Sequence, residues 1–129
     1  MSYRSGMQLT PESDRLRNIV IGYGPDEIRL RDQILKTSSL ITVDRVLPWT
    51  ARDASTIAPA DLDAVIALEV DVVLLATGAR QVWPPSAVIA HATRRRVGLE
   101  VMDVGAACRT YNVLLGEERR VALAAILPG

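Results

Sequence analysis

Residues 70–78 read Val-Asp-Val-Val-Leu-Leu-Ala-Thr-Gly, with an unbroken apolar run at 72–76. Successive side chains of a strand point to opposite faces, so a run apolar at consecutive positions predicts a central strand covered on both sides. Downstream, Pro84-Pro85 open a helix that carries Val88, Ile89 and Ala92 inward and ends in Arg94-Arg95-Arg96 before Gly98. Leu99, Val101 and Met102 predict a second strand, residues 105–115 a helix stopped by Gly116, and residues 121–127 a closing strand. Strand–helix–strand–helix–strand is the signature of βαβ units and a largely parallel sheet.

Upstream of this half the pattern changes. Pro59 suits the first position of a helix, with Asp61 in its first turn and Leu62, Val65 and Ile66 on one face. Residues 49–58 form a polar connector. Before them, Ile19-Val20-Ile21 predicts a short strand interrupted by Gly22, Gly24 and Pro25, and Ile28 and Leu30 alternate with Arg29 and Arg31 as in a half-buried strand. Ile34-Leu35 starts a further extended piece, Ser38-Ser39 reads as a turn, and residues 40–47 read as one strand ending at Pro48. The expected fold class is therefore α/β (α+β): an antiparallel, β-rich first half and a βαβαβ second half. Residues 1–16 carry little apolar periodicity and are expected to be a flexible arm, leaving 17–129 as one globular domain.

Composition bounds what such a domain does. The chain has 129 residues, of which 49% are hydrophobic and 23% charged, the proportions of an ordinary globular domain. Fifteen Lys+Arg balance 15 Asp+Glu, for a formal net charge of zero. That balance argues against nucleic acid or an anionic membrane as partner, since both select basic surfaces. The single cysteine, Cys108, excludes an internal disulfide and any multi-cysteine metal site. No apolar run approaches the ~18 residues of a membrane span and no apolar signal core opens the chain, so a soluble, cytoplasmic protein is expected.

The chemistry-bearing segments are few. Ala76-Thr77-Gly78 is similar to a strand end of flavin- and nicotinamide-dependent reductases, but the glycine-rich pyrophosphate turn that must accompany it is missing. No cofactor is expected. Cys108, His91 and Asn112 are the residue types of a nucleophile site, yet nothing in the sequence brings His91 to Cys108, and Cys108 flanks the apolar face of Ala107, Tyr111 and Leu114. A structural thiol is expected. One histidine among scattered carboxylates makes a poor metal site, so no metal is expected. Arg94-Arg95-Arg96 complements the negative end of its helix. Trp49 and Trp83 each adjoin a proline at a loop entrance, and partial core burial is expected for both.

A ligand site, if present, has a predictable place. The crossover from residues 70–77 to 99–102 makes the two strands parallel, so their carboxyl ends share one edge, where open α/β sheets bind ligands. Thr77, Gly78 and Arg80 leave the first strand there, and Asp103 and Gly105 leave the second. The helix at 105–115 starts at this edge and presents free N–H groups to an anion, with Arg109 and Asn112 on its polar face. A weak anion or carboxylate site built from Thr77, Gly78, Arg80, Gly105, Arg109 and Asn112 is one expectation. Asp103 opposes it by capping those N–H groups itself.

The stretches Leu75-Ala76-Thr77-Gly78-Ala79-Arg80-Gln81 through Pro84-Pro85, and residues 101–115 (VMDVGAACRTYNVLL), resemble the domain-of-unknown-function 498 family. Its eukaryotic relatives include a mitochondrial complex I assembly factor. The resemblance runs from about Asn18 to the C-terminus. It implies a three-layer single domain with a mixed central sheet, helices on one side and extra strands on the other. It implies no reaction and supplies no catalytic residues. Two readings stay open: a non-catalytic binding or assembly-factor-like protein acting through a protein partner, or a small-anion site at the strand ends, with homo-oligomerisation compatible with either. The freshly purified protein is expected to be colourless, a point checked by its visible absorption spectrum; flavin bands released only by denaturation would overturn it.

Overall fold

The computed structural model describes residues 17–129, and the expected flexible arm, residues 1–16, lies outside them. The elements in chain order are β1 (Val20–Gly24), β2 (Glu27–Leu30), β3 (Ile34–Leu35), β4 (Thr37–Ile41) and β5 (Val46–Pro48). After them come a 3-10 turn (Pro59–Leu62) running into α1 (Asp63–Ile66), then β6 (Val72–Ala76), α2 (Ser86–Arg94), β7 (Gly98–Met102), α3 (Val104–Gly116) and β8 (Val121–Pro128). The strands form two sheets. A small antiparallel sheet has the order β1-β2-β3, and a five-stranded mixed sheet has the order β5-β4-β8-β6-β7.

The apolar run at 70–78 supplies β6, which pairs in parallel with β7 on one side and β8 on the other. Its alternate residues serve two cores. Leu74 and Ala76 face one core with α3, and Val73 and Leu75 face the other with α2 and α1. The step from β6 to β7 and the step from β7 back past β6 to β8 run in opposite directions across the sheet. Right-handed crossovers in opposite directions place their helices on opposite faces. Helices therefore cover both faces, where the family resemblance implied one.

Helix α3 lies between the two sheets. Val104, Ala107, Cys108, Tyr111 and Leu115 pack with Val20, Ile28, Leu30 and Leu35 of the small sheet and with Leu74, Leu123 and Leu127 of the central one. Side chains of this kind contribute about 1.5–3 kcal/mol each on full burial. Polar atoms fix the stack laterally. Val20 donates its N–H to Asn112 Oδ1 and accepts from Asn112 Nδ2, both at 2.9 Å. Tyr111 Oη donates to Asn18 O at 3.1 Å, and Asn18 Nδ2 reaches on to Thr42 O at 2.9 Å.

Four local expectations are corrected. Residues 40–47 are not one strand: the chain reverses at 42–45, where Thr42 N–H reaches Arg45 O at 2.9 Å and Thr42 Oγ1 reaches Asp44 Oδ1 at 3.1 Å, so β4 and β5 form a hairpin. Ser38-Ser39 is inside β4 rather than a turn, because Ser38 Oγ is buried between strands and accepts Leu127 N–H at 3.0 Å. Gly22 and Gly24 do not interrupt β1. The Arg29 side chain lies across Gly22, where a Cβ would collide with the guanidinium, and a bulge between Val20 and Gly22 takes up the register. The helix from Pro59 shrinks to a 3-10 turn and a single α turn.

Asn112→Ala leaves both Val20 groups without their partner, and a loss of about 2 kcal/mol is expected. Denaturant unfolding measures it. A midpoint unchanged from the parent would show that water replaces the amide at no cost.

Candidate functional site

The carboxyl edge of β6 is closed by its own chain. Thr77 donates its N–H to Met102 O at 2.9 Å. Its hydroxyl lies 2.7 Å from Arg80 O and accepts Val82 N–H at 3.0 Å, which fixes the loop after the strand. Gly78 turns this loop with φ of 98°, a left-handed conformation that side chains disfavour, and its carbonyl accepts Val104 N–H at 2.8 Å. Gln81 Nε2 donates to Val101 O at 2.7 Å. The crevice between β6 and β7, where the connections diverge to opposite faces, is thus laced with hydrogen bonds.

The first turn of α3 is equally engaged. Asp103 sits at the N-cap and its Oδ1 accepts Ala106 N–H at 2.9 Å, while Val104 N–H is taken by Gly78. Gly105 is packed against Tyr23: a Cβ there would lie 3.0 Å from Tyr23 Cε1 and 3.1 Å from Arg109 Nη1. Arg109 Nη1 donates to Tyr23 Oη at 2.6 Å. Asn112, about 10 Å further along the helix, grips β1 instead of facing a cleft.

The seven residues singled out in the sequence therefore fall into three groups. Thr77, Gly78, Arg80 and Asp103 belong to one knot of loops; Gly105 and Arg109 meet Tyr23; Asn112 stands apart on Val20. Thr77 and Gly78 also line a cavity of about 340 Å³ on the β8 side of β6, walled by Pro25, Asp26, Arg52, Asp53, Ile126 and Pro128 among others. Arg52, Asp26 and Asp53 carry no motif in the sequence. Only the fold brings the β1–β2 turn and the 52–54 loop to the strand ends.

Cys108, His91 and Asn112 do not meet. His91 Nε2 lies 3.0 Å from Asp63 Oδ1 on the α2 face, and Cys108 is buried on the α3 face beyond the central sheet. Burial pushes the Cys108 thiol up to about 12, with Arg109 pulling weakly the other way. Burial also raises the Tyr111 phenol, whose hydroxyl stays a donor to Asn18. Among the described residues no group of three His, Cys, Asp or Glu side chains gathers to hold a metal, and no helix is long and apolar enough to cross a membrane.

The tryptophans divide. Trp49 is 7% exposed and donates its indole N–H to Asp61 O at 2.9 Å. Trp83, expected to be partly buried, is 62% exposed. Its neighbour Pro84 takes the buried place at the head of α2 instead. Ala87 and Ala90 of α2 are exposed beside it, and so is Ile89, which was expected to face inward with Val88 and Ala92.

These elements define an α+β fold, a mixed sheet between helices with a second small sheet stacked on one of them. Residues 20–126 match the family described as "Protein of unknown function (DUF498/DUF598)", and the chain belongs to that family. An uncharacterised protein of Rhodobacter capsulatus is 37% identical over 109 residues, 83% of this chain and 82% of that one. The NADH dehydrogenase [ubiquinone] 1 alpha subcomplex assembly factor 3 of Danio rerio is 28% identical over 112 residues, 85% of this chain and 64% of that protein. An NMR structure of a Xanthomonas campestris protein superposes with a TM-score of 0.78 at 40% identity, covering 85% of this chain and 84% of the other.

The raised thiol sets the sign of a pH effect. Below the ordinary thiol value of 9.0 the neutral Cys108 form costs nothing in either state; above it the unfolded chain ionises while the folded one does not, up to about 12. Stability should therefore fall between these values, and less steeply in Cys108→Ala. Iodoacetamide should label native Cys108 only after unfolding; stoichiometric labelling of folded protein at neutral pH would overturn the structural role.

Proposed function

We propose that this chain is a non-catalytic binding protein of the cytoplasm that acts through a protein partner, in the manner of an assembly factor. The observation that carries the reading is Trp83. Its indole is 62% exposed on a loop anchored on one side by Gln81 on Val101 and on the other by the buried Pro84. A large aromatic held on an ordered loop binds a partner at low entropic cost, which is why tryptophan dominates interface hot spots. The adjoining outward face of α2 extends it with Ala87, Ile89 and Ala90, and α2 has no acidic residue in its first turn. The zebrafish relative, an assembly factor by name, supports the same reading.

A second reading rests on the 340 Å³ cavity at the strand ends. Arg52 supplies a cation to it and Ile126, Leu127 and Val82 an apolar wall, a setting that suits a small carboxylate, with Thr77 and Gly78 at its rim. Asp26 and Asp53 oppose an anion there.

Photo-crosslinking inside the source cells separates the two. A benzoyl-phenylalanine at position 83 should yield one discrete protein adduct, and the same probe at the exposed Val113 on α3 should yield none. No adduct at 83, together with citrate-induced amide shifts confined to residues 52–54 and 77–79, would overturn the protein-partner reading in favour of the cavity.

A further inference from the structure

Strand β7 ends the central sheet, and among the described residues no strand pairs with its outer edge. Which groups it offers follows from the bonds on its inner side. Gly98 N–H reaches Asp71 O at 3.1 Å and Met102 O accepts Thr77 N–H at 2.9 Å, so Gly98, Glu100 and Met102 turn their backbone groups toward β6. By the alternation of a strand, Leu99 and Val101 turn theirs outward. Gln81 occupies Val101 O at 2.7 Å. Left open are Leu99 N–H and C=O, Val101 N–H and, in the residue before the strand, Val97 C=O. An edge of this kind pairs with another chain unless something blocks it. No proline, bulge or inward-pointing charge blocks Leu99.

The charges along this edge select the occupant. Exposed Arg94, Arg95 and Arg96 precede the strand, exposed Glu100 lies within it and Asp103 follows it. A second copy running antiparallel about a two-fold axis lays the positive end of one strand on the negative end of the other. Such a contact is self-complementary, as isologous association requires. Axes at Leu99, Glu100 or Val101 bring the outward-facing residues Leu99 and Val101 together, and the one at Val101 requires Gln81 to leave that carbonyl. An axis at Glu100 sets Glu100 against Glu100 of the second copy, a repulsive pair, and requires Gln81 to leave Val101. An axis at Leu99 does neither. Leu99 then exchanges both backbone bonds with Leu99 of the second copy, and Val101 N–H meets the opposite Val97 C=O. Gly98 faces the opposite Glu100 and leaves it room, and Arg96, in the turn of φ 60° that leads into the strand, stands at the end of the strand that meets that carboxylate.

We infer that β7 is a self-association edge: two copies of this chain join their central sheets through antiparallel β7 strands centred on Leu99, with Arg96 and Glu100 of opposite copies as the selecting charges. The contact goes beyond the partner surface at Trp83 and leaves the outward face of α2 displayed on both copies.

Sedimentation velocity from low micromolar to about 1 mM tests the inference across the range of weak dimers. A reversible monomer–dimer equilibrium is expected, with Leu99 and Val101 amides protected from hydrogen exchange in the dimer. Leu99→Pro removes only an outward N–H and should raise the dimer dissociation constant about tenfold or more. Glu100→Arg should weaken the dimer and Arg96→Glu combined with Glu100→Arg should restore it, which keeps the test valid if the proline variant fails to fold. A monomer at every concentration would overturn the inference. So would a dimer indifferent to the charge reversal, or one whose protected amides lie elsewhere than β7.

Discussion

Helix α3 is buried on two sides, and the rest of the molecule is arranged around that fact. A surface helix needs one apolar stripe; a helix between two sheets must satisfy both flanks. The stripe of Ala107, Tyr111 and Leu115 serves as core, and Val104 and Cys108 widen it. The polar flank is handled by bonding rather than by solvation: Asn112 offers β1 the donor and acceptor that a neighbouring strand would offer, and Tyr111 holds Asn18. A buried polar group without a partner costs about 1–3 kcal/mol, so these bonds decide where the small sheet sits.

The strand order sets a second constraint. Because β7 and β8 lie on either side of β6, the two crossovers diverge and open a crevice at the carboxyl end of the sheet. In many α/β proteins that crevice receives a ligand. Here Thr77, Gly78, Gln81 and Asp103 spend their hydrogen-bonding groups on the chain itself, and Gly105 is filled by Tyr23. The loops are tied to the chain itself, and Trp83 is the large aromatic side chain they display outward. The open space at this end has moved to the β8 side of β6, where three separate loops wall it.

Both ends of the sheet system use a side-chain amide in the same way. Asn112 caps the backbone of β1 at Val20, and Gln81 caps the backbone of β7 at Val101. The Asn112 cap is complete, because it satisfies both the N–H and the C=O of its residue. The Gln81 cap satisfies a carbonyl alone, which is the reason the β7 edge retains donors.

The sequence by itself determined the βαβαβ half. The run at 70–78 could only be a strand apolar on both faces, Pro84-Pro85 and Gly116 bounded helices, and residues 101–115 carried the family resemblance. It also announced the buried thiol, since Cys108 shares the stripe of Ala107 and Tyr111. Where the carboxyl edge lies was legible too, from the crossover rule. What the sequence could not express is which face is covered. A helical wheel places Arg109 and Asn112 opposite the core stripe and reads that side as water or cleft, yet β1, some 90 positions away, lies over it. Trp83 is likewise exposed while the adjoining Pro84 is buried, and Ser38 is made a buried acceptor by a strand partner 89 residues distant. Local periodicity records how a segment divides its own side chains; the neighbour that covers each side is chosen by long-range packing, and that decided the places of Arg109, Asn112 and Ser38.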